Sequence, residues 1–360
     1  MQRKKNFFAG PSVMPVEVLQ ELQAQILDYN GQGLSMIETS HRGGLFEDLH
    51  IQALSLVREL LGISDEYSVF FLGGGASLQF SMVPMNFLRP NTVADYIKSG
   101  SWAAKAATDA EKIGKVNYYY DGTDKNFTAL PDPASVKASE DSSYLFLCSN
   151  ETIGGVQWQS FPKIGTVPLI ADMSSDILSR PLPIDDFSLI YAGVQKNLGP
   201  AGATLVIIKR SLLEQQNANL PSYLDYRNHV KGEGLYNTPP VFSIWAVKLV
   251  LEWIKRNGGA EGMQKRAQER SRLVYDVIDS SSFFRSPVDP TYRSHMNVVF
   301  RLPTEELEAA FLQRSKEEGM LGLKGHRSVG GLRASLYNSL PIEDAKALAD
   351  LMREFERTHG

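Results

Sequence analysis

The chain has one cysteine, Cys148, in 360 residues. That excludes an intrachain disulfide framework and any zinc site built on several cysteines. No apolar run approaches the roughly 18 residues that a membrane-spanning helix needs. Positive charge is not in excess either: 37 Lys and Arg stand against 41 Asp and Glu, a net −4. A nucleic-acid binder held by general basic charge is therefore not expected, although a local basic pocket is still allowed. The dinucleotide fingerprint is missing, because Gly73 and Gly75 are followed by Leu78 where a third glycine belongs, and no Walker-type phosphate loop occurs. The N-terminus starts basic, as a signal peptide does, but Gly10 and Pro11 interrupt the apolar stretch after three residues. No signal peptide is expected, and the expected location is cytoplasmic. There is no internal repeat and no low-complexity segment.

Material for a core is plentiful: 43% of residues are hydrophobic and 10% aromatic. The length gives a prior of two to three domains at about 150 residues each. Helices are expected over 15–29 and 45–61, from apolar residues at helical spacing. Short β-branched and aromatic runs lie at 67–72, 93–97, 116–120, 144–148, 168–171, 189–191 and 204–208. Unbroken apolar runs suit strands covered on both faces, and strand–helix alternation predicts a mostly parallel sheet in an α/β domain. After Lys209 a polar stretch rich in Tyr and Asn leads to Pro239-Pro240 and a long helix over 241–256, stopped by Asn257-Gly258-Gly259. Helices at 260–280, 304–318 and 341–356 then flank a strand at 297–301, the pattern of a smaller α+β domain.

Chemistry concentrates in a few segments. Lys196 sits in a glycine-containing turn between two apolar runs, where desolvation favours the neutral amine that a covalently reacting lysine needs; an exposed loop lysine is the plain alternative. Asp172 ends a buried run, at the strand end where open α/β sheets bind ligands. On its own Asp172 also reads as a turn or cap residue. Together the two match the pair that pyridoxal phosphate requires: an amine to attach it and a carboxylate to keep its ring nitrogen protonated. Leu72-Gly-Gly-Gly-Ala-Ser-Leu78 follows a strand and opens a helix, whose first N–H groups favour an anion. Two His-Arg pairs, His41-Arg42 and His326-Arg327, and Arg333 supply forks suited to carboxylate and phosphate oxygens. Trp102 is either a core anchor or a stacking face, and Thr152 either a ligand contact or a turn residue.

These segments together resemble the phosphoserine aminotransferases, fold-type I pyridoxal-phosphate enzymes of the class V aminotransferase group. The resemblance runs in order through Asn6-Phe-Phe-Ala-Gly-Pro11, Thr39-Ser-His-Arg-Gly43, Phe71-Leu-Gly-Gly-Gly75, Ser101-Trp102, Asn150-Glu-Thr152, Asp172-Met-Ser-Ser175, Gln195-Lys-Asn-Leu-Gly-Pro200, Asn237-Thr-Pro-Pro240, Gly325-His-Arg327 and Gly331-Leu-Arg-Ala-Ser335. It covers essentially the whole chain. It implies a large domain over 16–256 carrying a mostly parallel seven-stranded sheet, and a smaller α+β domain formed by 1–15 and 257–360. It implies that Lys196 attaches pyridoxal phosphate and shuttles the proton, that Asp172 pairs the ring nitrogen, that Trp102 stacks on the ring and that Thr152 contacts the ring hydroxyl. Ala76, Ser77 and Gln195 would hold the cofactor phosphate, with Asn237 and Thr238 reaching it from the neighbouring subunit of a homodimer.

By the same resemblance, Arg333 binds the substrate α-carboxylate. His41, Arg42, His326 and Arg327 surround the substrate phosphate or the side-chain carboxylate of glutamate, some of them across the dimer. Where many members carry Gly-Arg, this chain has Ala76-Ser77, so phosphate contacts there rely on backbone and hydroxyl. The implied reaction is reversible amino transfer from L-glutamate to 3-phosphohydroxypyruvate, giving O-phospho-L-serine and 2-oxoglutarate in serine biosynthesis. Bacterial members also carry a related phosphohydroxythreonine step of vitamin B6 synthesis. No metal, nucleic acid or membrane partner is implied. A class V cysteine desulfurase would need a reactive loop cysteine, whereas Cys148 ends an apolar run. A nucleotide-binding module would leave the Asp172/Lys196 pair and both His-Arg pairs without a purpose.

Overall fold

A computed structural model describes residues 3–360. Seven strands form the central sheet: β1 Tyr67–Leu72, β2 Val93–Lys98, β3 Lys115–Asp121, β4 Ser142–Cys148, β5 Leu169–Asp172, β6 Leu189–Gly193 and β7 Thr204–Lys209. Their spatial order is β1-β7-β6-β5-β4-β2-β3. Only β7 runs against its neighbours, so the fold is α/β with a mostly parallel sheet. Both faces are apolar because successive residues alternate between two cores. In β4, Leu145 and Leu147 join one cluster while Tyr144, Phe146 and Cys148 join the other. The outer strand β3 is only partly covered and carries Lys115, Asn117 and Asp121, which suits an edge.

Helices cover the sheet on both sides. The first face packs α1 Val16–Gln25, α2 Gly44–Leu61 and α5 Val241–Arg256, the last burying Trp245, Leu251 and Ile254. The second face packs α3 Gly75–Phe87 and α4 Ser101–Glu111, through Phe80, Val83, Ala103 and Ala107. α6, Gly259–Ser280, links two cores: Ala260 and Met263 lie in the first sheet cluster, and Val274 and Ile278 in a third cluster. That third cluster also takes Phe7 and Val13, the antiparallel pair β8 Asn297–Phe300 and β9 Leu332–Ser335, and the helices α7 Glu305–Glu317 and α8 Ile342–His359. Phe284, Phe300, Phe311 and Phe355 pack edge to face at its centre.

The helix expected over 15–29 stops at Gln25. Residues 28–33 form turns instead: Asp28 Oδ1 accepts from Gly33 N at 2.8 Å, and Asn30, Gly31 and Gly33 take positive φ. Local turn chemistry outweighed helical spacing there. A short helix, Tyr226–Lys231 capped by Asp225, lies unforeseen inside the polar 214–238 stretch.

Candidate active site

Strand register brings the chemistry to one end of the sheet. Leu72 pairs with Thr204, Thr204 with Gly193, Tyr191 with Asp172, and Asp172 with Cys148. The segments that follow these strand ends therefore share an edge: 73–77 after β1, 149–152 after β4, 172–176 at β5 and 194–199 after β6. These are the carboxyl ends of the parallel strands, where sheets of this kind place ligands.

Lys196 lies in the turn leaving β6. Leu198 N and Gly199 N both donate to Val194 O, at 3.1 and 2.8 Å, and Asn197 Nδ2 donates to Ser175 O and Ile177 O. From the chain start, Ser12 N donates to Gln195 O at 3.0 Å and Ser12 Oγ to Lys196 O. The turn is thus held by its backbone, leaving the lysine side chain free of structural duty. Its Nζ donates to Thr152 Oγ1 at 2.8 Å and lies 5.5 Å from the Trp102 ring centroid. Asp172 is 5% exposed, and Ser174 N donates to its Oδ1 at 2.8 Å. Burial pushes its carboxyl above the usual range, with Lys196 and Ser174 pulling the other way. Beneath it the buried Asp176 accepts from Ser149 Oγ and from Gln157 Nε2 at 3.1 Å and faces Arg180 at 3.6 Å.

Arg333 reaches this group from β9. Its Nη1 donates to Thr152 O at 3.2 Å, and its buried Nε has no hydrogen-bond partner. His326 stands nearby, its pKa lowered by desolvation and then by Arg333, Lys105 and Arg327. Lys105 in turn lies 4.3 Å from the Trp102 ring centroid. A histidine among three cations marks an anion-attracting mouth. Ala76 and Ser77 occupy the first turn of α3, whose cap, Gly74, has φ 89° and no side-chain cap bond. The glycine is required there, since a Cβ would also come within 2.5 Å of Leu78 Cδ2. Gln195 folds over Gly193, where a Cβ would lie 2.6 Å from its Oε1.

Lys196, Asp172, Trp102, Thr152, Arg333 and His326 come together, and Ala76, Ser77 and Gln195 share the same sheet edge. His41, Arg42, Asn237 and Thr238 are not joined to Lys196 by any hydrogen bond or ion pair among the described residues. Arg42, Asn237 and Thr238 are exposed, as is Arg327, and Asn237 Nδ2 donates to Thr238 O at 3.0 Å. Sequence reasoning missed Lys105 and Glu151. Glu151 is fully buried; its carboxyl accepts from Trp102 N and Ala103 N, and burial pushes its pKa up to about 7. The one available signal was a helix opening after Gly100 with no side chain to cap it.

The sequence pattern of the family described as Aminotransferase class-V matches residues 5–348. The chain is 49% identical over 360 residues, all of both chains, to the phosphoserine aminotransferase of Halalkalibacterium halodurans. It superposes with a TM-score of 0.98, at 48% identity and complete coverage of both chains, on the phosphoserine aminotransferase from Bacillus circulans subsp. alkalophilus. A pyridoxal-phosphate-bound phosphoserine aminotransferase from Trichomonas vaginalis matches with a TM-score of 0.89, at 36% identity over 98% of this chain and 100% of that one. With its lysine, aspartate and indole gathered at the sheet's carboxyl edge and this likeness running end to end, the chain belongs to the class-V aminotransferase family.

Proposed function

We propose that the chain is a pyridoxal-phosphate-dependent phosphoserine aminotransferase, transferring an amino group reversibly from L-glutamate to 3-phosphohydroxypyruvate. The products are 2-oxoglutarate and O-phospho-L-serine. The observation that carries this reading is Lys196 Nζ, held at 2.8 Å by Thr152 against Trp102 and within Coulombic reach of the buried Asp172, with Arg333 bonded to the same Thr152.

The residues present fit the cofactor. A buried carboxylate that burial destabilises suits a protonated ring nitrogen as its counter-charge. The uncapped start of α3 suits a phosphate, and Trp102 offers an indole face beside the amine. When bound, pyridoxal phosphate supplies the electron sink that makes the substrate α-proton acidic. We assign Lys196 to cofactor attachment and then to proton transfer, Thr152 to orienting that amine, and Asp172 to the ring nitrogen. Ala76, Ser77 and Gln195 hold the cofactor phosphate. Arg333, whose buried Nε has no partner, takes the substrate α-carboxylate, and His326 and Arg327 take the phosphate.

The active unit is a homodimer, in which His41, Arg42, Asn237 and Thr238 complete the partner's site. In support, several large apolar side chains are left exposed: Leu27 is 85% exposed, and Ile37, Tyr236 and Phe242 are also exposed. The chain divides into a large domain, 16–256, and a small one, 1–15 with 257–360; Phe7 and Val13 pack in the small domain's core. We place the enzyme in the cytoplasm, in keeping with its single free, buried thiol. No helix among the described residues is long and apolar enough to cross a membrane.

The reading is tested by the visible spectrum of the purified holoenzyme. Its visible band should fade on adding O-phospho-L-serine, recover with 2-oxoglutarate, and stay unchanged with L-cysteine or L-alanine. Indifference to phosphoserine would discard the substrate assignment. Arg333→Lys keeps the charge but loses the planar fork, which costs about 1.5–3 kcal/mol for a charged partner. Steady-state kinetics should show kcat/KM falling by about 10- to 150-fold for glutamate and phosphoserine alike, since both carry the α-carboxylate.

A further inference from the structure

Glu151 has no part in the reaction outlined above, yet its carboxyl is fully buried within Coulombic reach of Lys196. It ends the two-residue strand Asn150–Glu151, which pairs with Val156–Gln157. Its oxygens divide their work. Oε2 accepts from Trp102 N at 3.0 Å, and Oε1 accepts from Ala103 N at 2.9 Å. These are among the first free N–H groups of α4, whose cap residue, Gly100, has no side chain to offer. One donor on each oxygen suits the ionised carboxylate, and the positive end of the helix favours it.

The fit is tight. A Cβ on Gly100 would stand 2.4 Å from Glu151 Cδ, so the glycine is what lets the carboxyl reach the helix. The next residue, Thr152, accepts from Lys196 Nζ. Residues 151 and 152 therefore brace two walls of one pocket, the indole through α4 and the amine directly.

We propose that Glu151 is a positioning residue: by capping α4 it sets the seat of the Trp102 indole, and through it the binding of the cofactor ring. This rests on Trp102 being the stacking face. A carboxylate that served only to stabilise the fold would weaken the protein whether or not the indole is present. One that acts through Trp102 loses its influence on the cofactor when the indole is removed, so the two substitutions are non-additive.

The experiment compares pyridoxal phosphate affinity and visible circular dichroism of the reconstituted wild type, Glu151→Gln, Trp102→Ala and the double variant. Glu151→Gln keeps the volume but sets an amide N–H against a backbone donor. It is expected to weaken pyridoxal phosphate binding by about tenfold, the scale of one lost charge-assisted hydrogen bond, and to change the visible dichroism. In the Trp102→Ala background it is expected to add nothing. Wild-type affinity and dichroism in Glu151→Gln overturn the proposal, as does an equal loss with and without the indole. Wild-type affinity in Trp102→Ala overturns the stacking role itself, a different result that leaves the amino-transfer reading standing. Should Glu151→Gln fail to fold, Gly100→Ala displaces the carboxylate without removing it. It is expected to give the same loss, and unchanged affinity there also overturns the proposal.

Discussion

Replacing Lys196 with alanine is expected to lower transamination by more than about 10⁴-fold, the upper range for losing an acid–base group, because the same amine also attaches the cofactor. The protein should stay folded. The turn carrying Lys196 is held by backbone bonds from Leu198, Gly199 and Ser12, and by the Asn197 side chain, none of which the substitution removes. The side chain itself makes one hydrogen bond, to the Thr152 hydroxyl. Single-turnover absorbance with phosphoserine, alongside far-ultraviolet circular dichroism, checks both halves. A folded variant retaining more than about 1% of wild-type turnover would remove Lys196 from the chemistry.

Asp172→Asn should cost about 10²–10³ in kcat, the size of a lost preorganised electrostatic contact at a reacting centre. The amide keeps the shape and still accepts from Ser174 N, so the loss reports charge rather than packing. Stability should move the other way. The folded-state pKa of Asp172 is raised above its unfolded value, so the ionised carboxylate opposes folding at any pH above the unfolded value. Removing it leaves cofactor-free protein at least as stable as wild type near neutral pH, although Lys196 loses an attractive neighbour. Bound cofactor reverses the order, because its protonated ring nitrogen then stabilises the carboxylate. Thermal unfolding of the two proteins, with and without pyridoxal phosphate, reads this crossover. A less stable cofactor-free variant would contradict a site strained in readiness for its ligand.

Lys196 and Asp172 stand out in the sequence because each follows an apolar run in a way that strand ends explain. Trp102, Thr152 and the glycines at 73–75 are likewise legible, since each opens the segment after a strand. The helix expected over 15–29 was too long because Asp28, Asn30, Gly31 and Gly33 form turns despite apolar spacing. Glu151 and Lys105 left no local mark. A carboxylate capping a helix through a backbone N–H 49 residues upstream has no sequence period to betray it, and an i+3 lysine over an indole looks like any solvated helix position.

By itself the sequence determined the α/β class, the buried strands and the residue types at their carboxyl ends, because two-sided burial leaves unbroken apolar runs and ligand chemistry demands particular side chains. Only the tertiary structure decided which of those ends meet. The strand order is not the chain order, and β7 turns back between β1 and β6 to bring the Gly73–Gly75 turn beside Lys196's sheet edge. Arg333 arrives from a strand 181 positions beyond Thr152, joined to it by one hydrogen bond. Such long-range pairings are set by how three cores pack together, a property of the whole chain that no single segment contains.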